Sequence, residues 1–99
     1  RVLRNDSLVQ AVQSADKKLL QAVFYPGNNG LQAGGVSLTA SEPCTVMIKT
    51  VAGKSVFTVT DACMNAALKK ITLTYNGKTI EVPMPQGEFC GRTVSYELP

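Results

Sequence analysis

The sequence predicts an all-β fold, a single antiparallel β-sandwich of about eight short strands. Apolar and polar residues alternate in short runs, with the period of a half-buried strand. Signals made of Gly, Pro and Asn separate these runs about every 8 to 12 residues, as in a sandwich. No segment combines the length and the spacing of a stable helix. With 99 residues, the chain has the size of one domain, predicted over 1–99.

The first two runs are predicted to form a hairpin. Leu8–Gln13 mixes apolar and polar residues, whereas Leu19–Tyr25 is more fully apolar, and a short polar connector at 14–17 joins them. The first run also fits a short helix. Strands are favoured because the second run ends in β-branched and aromatic residues and stops at Pro26-Gly27.

The middle of the chain is predicted as a loop followed by strands. Asn28-Asn29-Gly30 and Gly34-Gly35 bound a loop over 26–35, and Val36–Ser41 then alternates as a strand with one wet face. Pro43 cannot donate to a ladder, so it marks a strand start or a sheet edge. The runs at 44–49 and 55–60 follow, separated by the turn Ala52-Gly53-Lys54.

The last third contains the clearest local signal. Ile71–Tyr75 and Lys78–Val82 alternate strictly around Asn76-Gly77, which supplies the positive φ angles of a type I′ turn. The stretch 61–68 stays open between a loop and one helical turn, and Thr93–Leu98 is the final strand. The predicted core comprises Cys44, Val46, Ile48, Phe57, Val59, Ile71, Leu73, Ile80, Val94 and Leu98.

The charge distribution argues against several classes of partner. Ten basic residues against seven acidic ones leave a net charge of +3, scattered without a basic run, and Trp is absent. Nucleic-acid-binding domains usually carry a denser cationic stripe, so nucleic acid is not a predicted partner. The apolar stretches are too short to span a membrane. The chain begins at Arg1, and we expect a fragment of a longer protein.

The residue types that usually carry catalysis are missing or dispersed. The sequence contains no His, which removes Ser-His-Asp and Cys-His arrangements and the commonest zinc ligand, so no catalytic residue, metal or cofactor is predicted. Cys44, Cys63 and Cys90 allow at most one internal disulfide, with three possible pairings. Mostly buried structural thiols are favoured, with a disulfide or a functional thiol as alternatives.

A few residues are candidates for contact with an acidic polysaccharide. The two adjacent lysine pairs offer positive charge, and a tyrosine can stack on a sugar ring while its hydroxyl donates a hydrogen bond. The ordinary interpretation, solvated lysines and strand aromatics, is favoured. The candidates are Lys17, Lys18, Lys69, Lys70 and Tyr25.

Several of these strand and turn motifs resemble one known family. Leu8–Val12, Leu19–Gly27 and Val36–Ile48, with its Glu42-Pro43-Cys44 break, are similar to the C-terminal β-sandwich of the bacterial polysaccharide lyases that act on chondroitin, hyaluronan and xanthan. Thr58–Asp61 falls where the family has a strand ending in Asp-Pro-Thr, although Ala62-Cys63 stands here in place of Pro-Thr. The resemblance covers roughly 8–61.

The resemblance implies a non-catalytic β-sandwich at the C-terminal end of a larger, secreted or periplasmic bacterial lyase. Such enzymes cleave glycosaminoglycans, chondroitin sulfate or hyaluronan, by β-elimination, with their catalytic residues in an upstream helical domain. The implied partners are the larger catalytic and central β domains of the same chain, with structural support or weak substrate contact as the role. The alternative is an independent Ig-like adhesion or carbohydrate-binding module.

Overall fold

Ten antiparallel strands build the protein, as a computed structural model describes it for residues 1–63, 66–86 and 90–98. The strands are β1 (Val2–Asn5), β2 (Val9–Gln13), β3 (Leu19–Phe24), β4 (Leu31–Ala33), β5 (Val36–Ala40), β6 (Cys44–Val51), β7 (Lys54–Asp61), β8 (Lys70–Tyr75), β9 (Lys78–Pro83) and β10 (Thr93–Leu98). The eight predicted strands are all present, and β1 and β4 are additional. None of the described segments is a helix long and apolar enough to cross a membrane.

The strands form two sheets. A six-stranded sheet has the order β1-β2-β3-β6-β7-β10, and a four-stranded sheet has the order β4-β5-β8-β9. Buried residues of both sheets form one hydrophobic cluster, and Phe57 of β7 meets Tyr75 of β8 edge to face across the layers, with ring centroids 5.5 Å apart. The β-sandwich predicted from the sequence is therefore confirmed.

Local turn chemistry explains the hairpins. Asn76 and Gly77 have φ angles of 48° and 86°, as a type I′ turn requires, and they join β8 to β9 with Tyr75 opposite Lys78. Ala52 and Gly53, at 53° and 78°, make the same kind of turn between β6 and β7.

One expectation needs correction, and the structure bears on two alternatives that the sequence left open. The predicted loop over 26–35 contains a strand, β4, which pairs with β5, and the chain before residue 8 contributes β1. The helix alternative for Leu8–Gln13 is wrong, because Val9–Gln13 pairs with β3 throughout. At 61–68, Met64 lies outside the described residues, and the described 61–63 and 66–68 contain no helix.

The predicted core residues lie inside the sandwich. Eight of the ten are buried, while Val94 and Leu98 on β10 are partly buried and pack against the cluster. The difference follows from position, because β10 forms one end of the six-stranded sheet and has a neighbour on one side.

Candidate functional site

The outward side of the six-stranded sheet is broad and poor in charge. Strand register aligns its side chains in two rows that cross all six strands, and we call these two rows the outer face. The first row is Val2, Val12, Gln21, Met47, Thr58 and Ser95. The second is Asn5, Gln10, Val23, Thr45, Thr60 and Thr93. Neither row includes a charged residue.

Apolar side chains on the outer face are accessible to solvent. Val2 is 64% exposed and Val12 is 44% exposed, large fractions for valines on a six-stranded sheet. Two shallow depressions mark this side of the sheet. One, of about 320 Å³, lies around Val2, Val12 and Val23, with Arg4 at its border. The other, of about 410 Å³, lies at the end of the sheet, where Met47 and Val51 adjoin the charged Asp16, Lys18 and Lys49. This side can therefore accept apolar groups from a packing partner.

The outward side of the four-stranded sheet has a different character. It is lined mainly by hydroxyl-bearing residues and includes a carboxylate, as expected of a surface that faces water. These residues are Ser37, Thr39, Thr72, Thr74, Thr79 and Glu81. The contrast singles out the outer face as the more apolar of the two sides of the sandwich.

Charged groups border the outer face at its ends. Lys54 and Glu97 form an exposed ion pair at 3.3 Å, where β7 begins and β10 ends. At the end of β1, Arg4 Nε donates to Asp6 Oδ2, just past the strand, at 2.6 Å. This bond and the backbone N–H groups of Val9 and Leu8, which donate to Asp6 Oδ1, lower the pKa of Asp6 to about 2.

A buried ion pair lies at one end of the core. Arg92 Nε donates to Asp61 Oδ2 at 2.5 Å, and both side chains are at most 2% exposed. Arg92 Nη1 also donates to the Leu68 carbonyl at 3.1 Å, while Asp61 Oδ1 accepts the Cys63 N–H at 3.0 Å. These bonds connect the end of β7 with the start of β10 and the segment before β8.

The three cysteines occupy different environments. Cys44 is buried, and burial together with the nearby Asp61 and Glu42 raises the pKa of its thiol to about 12, so the thiol stays protonated. Cys63 is half-buried and Cys90 is exposed. Among the described residues, no three His, Cys, Asp or Glu side chains lie together as a metal site.

The structure separates the two predicted lysine pairs. Lys17 and Lys18 lie in the turn before β3, beside the end of β6 that includes Lys49, whereas Lys69 and Lys70 lie at the Arg92 end of the strands. A six-residue strand such as β3 rises roughly 20 Å, so the pairs do not form one cationic patch. Lys70 is also paired with Glu81 at 2.9 Å.

The predicted Tyr25 lies at the margin of the outer face. It follows the end of β3, and its hydroxyl donates to Gln10 Oε1 at 2.9 Å. The outer face was not predicted as a site from the sequence, yet a signal was present: β3 reads Leu-Leu-Gln-Ala-Val-Phe, an almost unbroken apolar run. Such runs are typical of strands that are covered on both faces.

Comparisons with known proteins agree with this architecture. The model of the family described as "Polysaccharide lyase family 8, C-terminal beta-sandwich domain" matches residues 1–69. Chondroitinase-AC of Pedobacter heparinus is 34% identical over 101 residues, covering 98% of this chain and 14% of that protein. The solved structure of chondroitinase AC lyase in enzyme-oligosaccharide complexes superposes with a TM-score of 0.78 at 32% identity, over 97% of this chain and 15% of that one.

Proposed function

The chain belongs to the C-terminal β-sandwich domains of polysaccharide lyase family 8, and from this premise we propose that it is the non-catalytic terminal domain of a larger lyase. The proposed parent enzyme cleaves chondroitin sulfate or hyaluronan by β-elimination. The 99-residue chain spans about one seventh of the length of the relatives it matches. The catalytic groups are proposed to lie in the remaining sequence of the parent.

The observation that carries the proposal is the apolar outer face. A domain of this role needs a surface that packs on a larger neighbour and stays covered. Val2, Val12, Val23 and Met47 offer that surface without a charge among them. The apolar run of β3, interrupted only at Gln21, fits a strand that is covered on both sides. We propose that the outer face docks on the remainder of the parent enzyme.

Catalytic inactivity of this chain is consistent with its residues. β-Elimination at a uronic acid needs a base that removes the ring proton next to the carboxylate and an acid that protonates the leaving oxygen. The sequence has no His. The deeply buried carboxylate of Asp61 already accepts hydrogen bonds from Arg92 and from the Cys63 N–H. The proposed location of the parent is outside the cytoplasm, because its polymeric, charged substrates do not cross the cytoplasmic membrane.

Activity of the isolated chain tests the non-catalytic role. We expect no increase in ultraviolet absorbance from unsaturated product when the 99-residue chain is incubated with chondroitin sulfate or hyaluronan. A genuine increase would contradict the proposal. Tight, saturable binding of either polymer without cleavage would instead favour a carbohydrate-binding module.

Mutation of the outer face tests the docking surface. Asp at positions 12 and 47 places two charges in the proposed contact, and V12D/M47D should weaken association with the separately produced remainder of the parent by roughly tenfold or more. T79D is the matched control, because Thr79 is exposed on the outward side of the four-stranded sheet. Binding by V12D/M47D that equals wild type would refute docking through this face.

A further inference from the structure

Two cysteines lie side by side where the last strand joins the sheet. Cys63 follows the end of β7 by two residues, and Cys90 precedes the start of β10 by three. β7 and β10 are antiparallel neighbours with Thr60 opposite Thr93. Cys63 leaves the end of β7 and Cys90 precedes the start of β10, so the two cysteines lie next to each other at the same end of this strand pair. The Gly91 N–H donates to Cys63 Sγ at 3.3 Å. The neighbouring Cys63 thiol raises the pKa of the Cys90 thiol above its usual value, as expected of two adjacent thiols.

We propose that Cys63 and Cys90 form an intramolecular disulfide that fastens β10 to β7 under oxidising conditions. The distance supports this pairing. The Gly91 nitrogen is separated from the Cys90 Cα by two covalent bonds, which places that Cα within roughly 6 Å of Cys63 Sγ. A rotation of the Cys90 side chain with a small adjustment of the backbone around Gly91 then brings the sulfurs to bonding distance while β7 and β10 stay paired.

The backbone holds Cys63 in place for this reaction. Cys63 has a φ of 60°, a left-handed conformation that is unfavourable for a side chain with a Cβ. The Asp61 carboxylate accepts the Cys63 N–H and so fixes the turn, while Arg92 anchors that carboxylate from the β10 side. The two halves of the proposed crosslink are thus attached to the same buried ion pair.

The third cysteine, Cys44, does not compete with Cys63 or Cys90 for disulfide formation. Cys44 is 1% exposed, in the core between the sheets, and its protonated thiol is a poor nucleophile. Of the three pairings that the sequence allows, the structure brings together the pair Cys63 and Cys90.

The oxidant is a small-molecule disulfide, for which oxidised glutathione is the probe. The thiolate of the exposed Cys90 attacks one glutathione sulfur, which forms a mixed disulfide and releases one reduced glutathione. The Cys63 thiolate then attacks the Cys90 sulfur of the mixed disulfide and releases the second. Two protein thiol protons pass to the two glutathione thiolates, and two electrons reduce the glutathione disulfide.

Peptide mapping tests the pairing directly. Wild-type chain is incubated with oxidised glutathione near pH 8.5, where a fraction of thiols is ionised, and is then digested with trypsin without reduction. Cleavage after Lys and Arg leaves each cysteine in its own peptide: 19–49, 55–69 and 79–92. We expect a species that links 55–69 to 79–92, with an intact-chain mass about 2 Da below that of the reduced chain. Links to 19–49, covalent dimers or mixed disulfides as the end product would overturn the proposal.

Thermal unfolding tests the structural consequence. A disulfide between 63 and 90 closes a loop of about 28 residues and should raise the Tm of the oxidised chain by on the order of 10 °C over the reduced chain. C90S should show no dependence of Tm on oxidant, while C44A, the matched control, should keep it. Equal Tm values for the oxidised and reduced wild-type chain would refute the fastening role.

Discussion

Removal of Arg92 is the most informative single perturbation of this fold. R92M replaces the guanidinium by an apolar chain of similar length and leaves the Asp61 carboxylate, at most 2% exposed, without its ionic partner. It also removes the Nη1 donor from the Leu68 carbonyl. Breaking a buried ion pair in this way costs about 3–5 kcal/mol, because one charge stays buried and uncompensated.

This cost is a large share of the total stability. The free energy of unfolding of a domain of this size is about 5–15 kcal/mol, and each kcal/mol of destabilisation lowers Tm by about 4–8 °C. R92M should therefore lower Tm by at least about 12 °C. Urea unfolding measures the free energy of unfolding and thermal unfolding measures Tm. Both are done at neutral pH with a reducing agent present, so that thiol oxidation does not contribute to the difference.

A double-mutant cycle separates the ion pair from its surroundings. D61N keeps an oxygen that accepts the Cys63 N–H but removes the charge, so D61N/R92M buries no unpaired ion. We expect the double variant to be more stable than R92M, with a coupling free energy of about 2 kcal/mol or more. K70M, which breaks the exposed Lys70–Glu81 pair, is the matched control and should cost less than about 1 kcal/mol. A cost of R92M as small as that of K70M, or single costs that simply add, would refute the reasoning.

Two further predictions concern charges at the surface. The pKa of Asp6, lowered to about 2 mainly by Arg4, lies below its unfolded value of 3.8, so this carboxylate stabilises the fold above about pH 4, and the contribution is lost as the pH falls towards 2. The Tm difference between wild type and D6N should therefore shrink over that window in a pH series, and a constant difference would contradict it. Replacing the two lysine pairs by Gln should change binding of the isolated chain to chondroitin sulfate little at low salt, because the pairs lie at opposite ends of the strands. Calorimetric titration measures this binding, and loss of saturable binding in the variant would contradict the prediction. The four lysines are Lys17, Lys18, Lys69 and Lys70.

The parts of the fold that were predictable from sequence are those that local chemistry determines. The hairpin around Asn76-Gly77 depends on two residues that tolerate positive φ, and its alternating strands assign each side chain to a face. Pro43 likewise precedes the start of β6 at Cys44, as its missing N–H predicts. Such signals need no knowledge of distant residues.

The two strands that were not predicted are held by distant contacts. β4 has three residues between glycines, and β1 has no clear alternation. Arg4 Nη1 donates to the Gly30 carbonyl at 2.8 Å and Arg1 Nη2 to the Gly34 carbonyl at 3.3 Å, which ties β1 to the turns that flank β4. The length and pattern of either segment alone do not encode this association.

The same limit applies to the sites. Asp61 and Arg92 are 31 positions apart, and Cys63 and Cys90 are 27 apart, so their proximity follows from the pairing of β7 with β10. The sequence left three cysteine pairings open because spacing does not determine register. The outer face had a partial signal in the apolar run of β3, but its extent depends on which strands are neighbours.

The edges of the six-stranded sheet bear on how this domain meets a partner. An edge strand with free backbone groups invites pairing with another chain, and proteins usually block that contact. Here the β1 edge is linked by arginine side chains to the turns around β4, and the β10 edge carries the exposed Lys54–Glu97 pair and is anchored by Arg92. These contacts fasten both edge strands to the rest of the sandwich. The outer face remains, and its uncharged rows suit packing of a flat surface from a neighbouring domain, which is the contact that the proposed function requires.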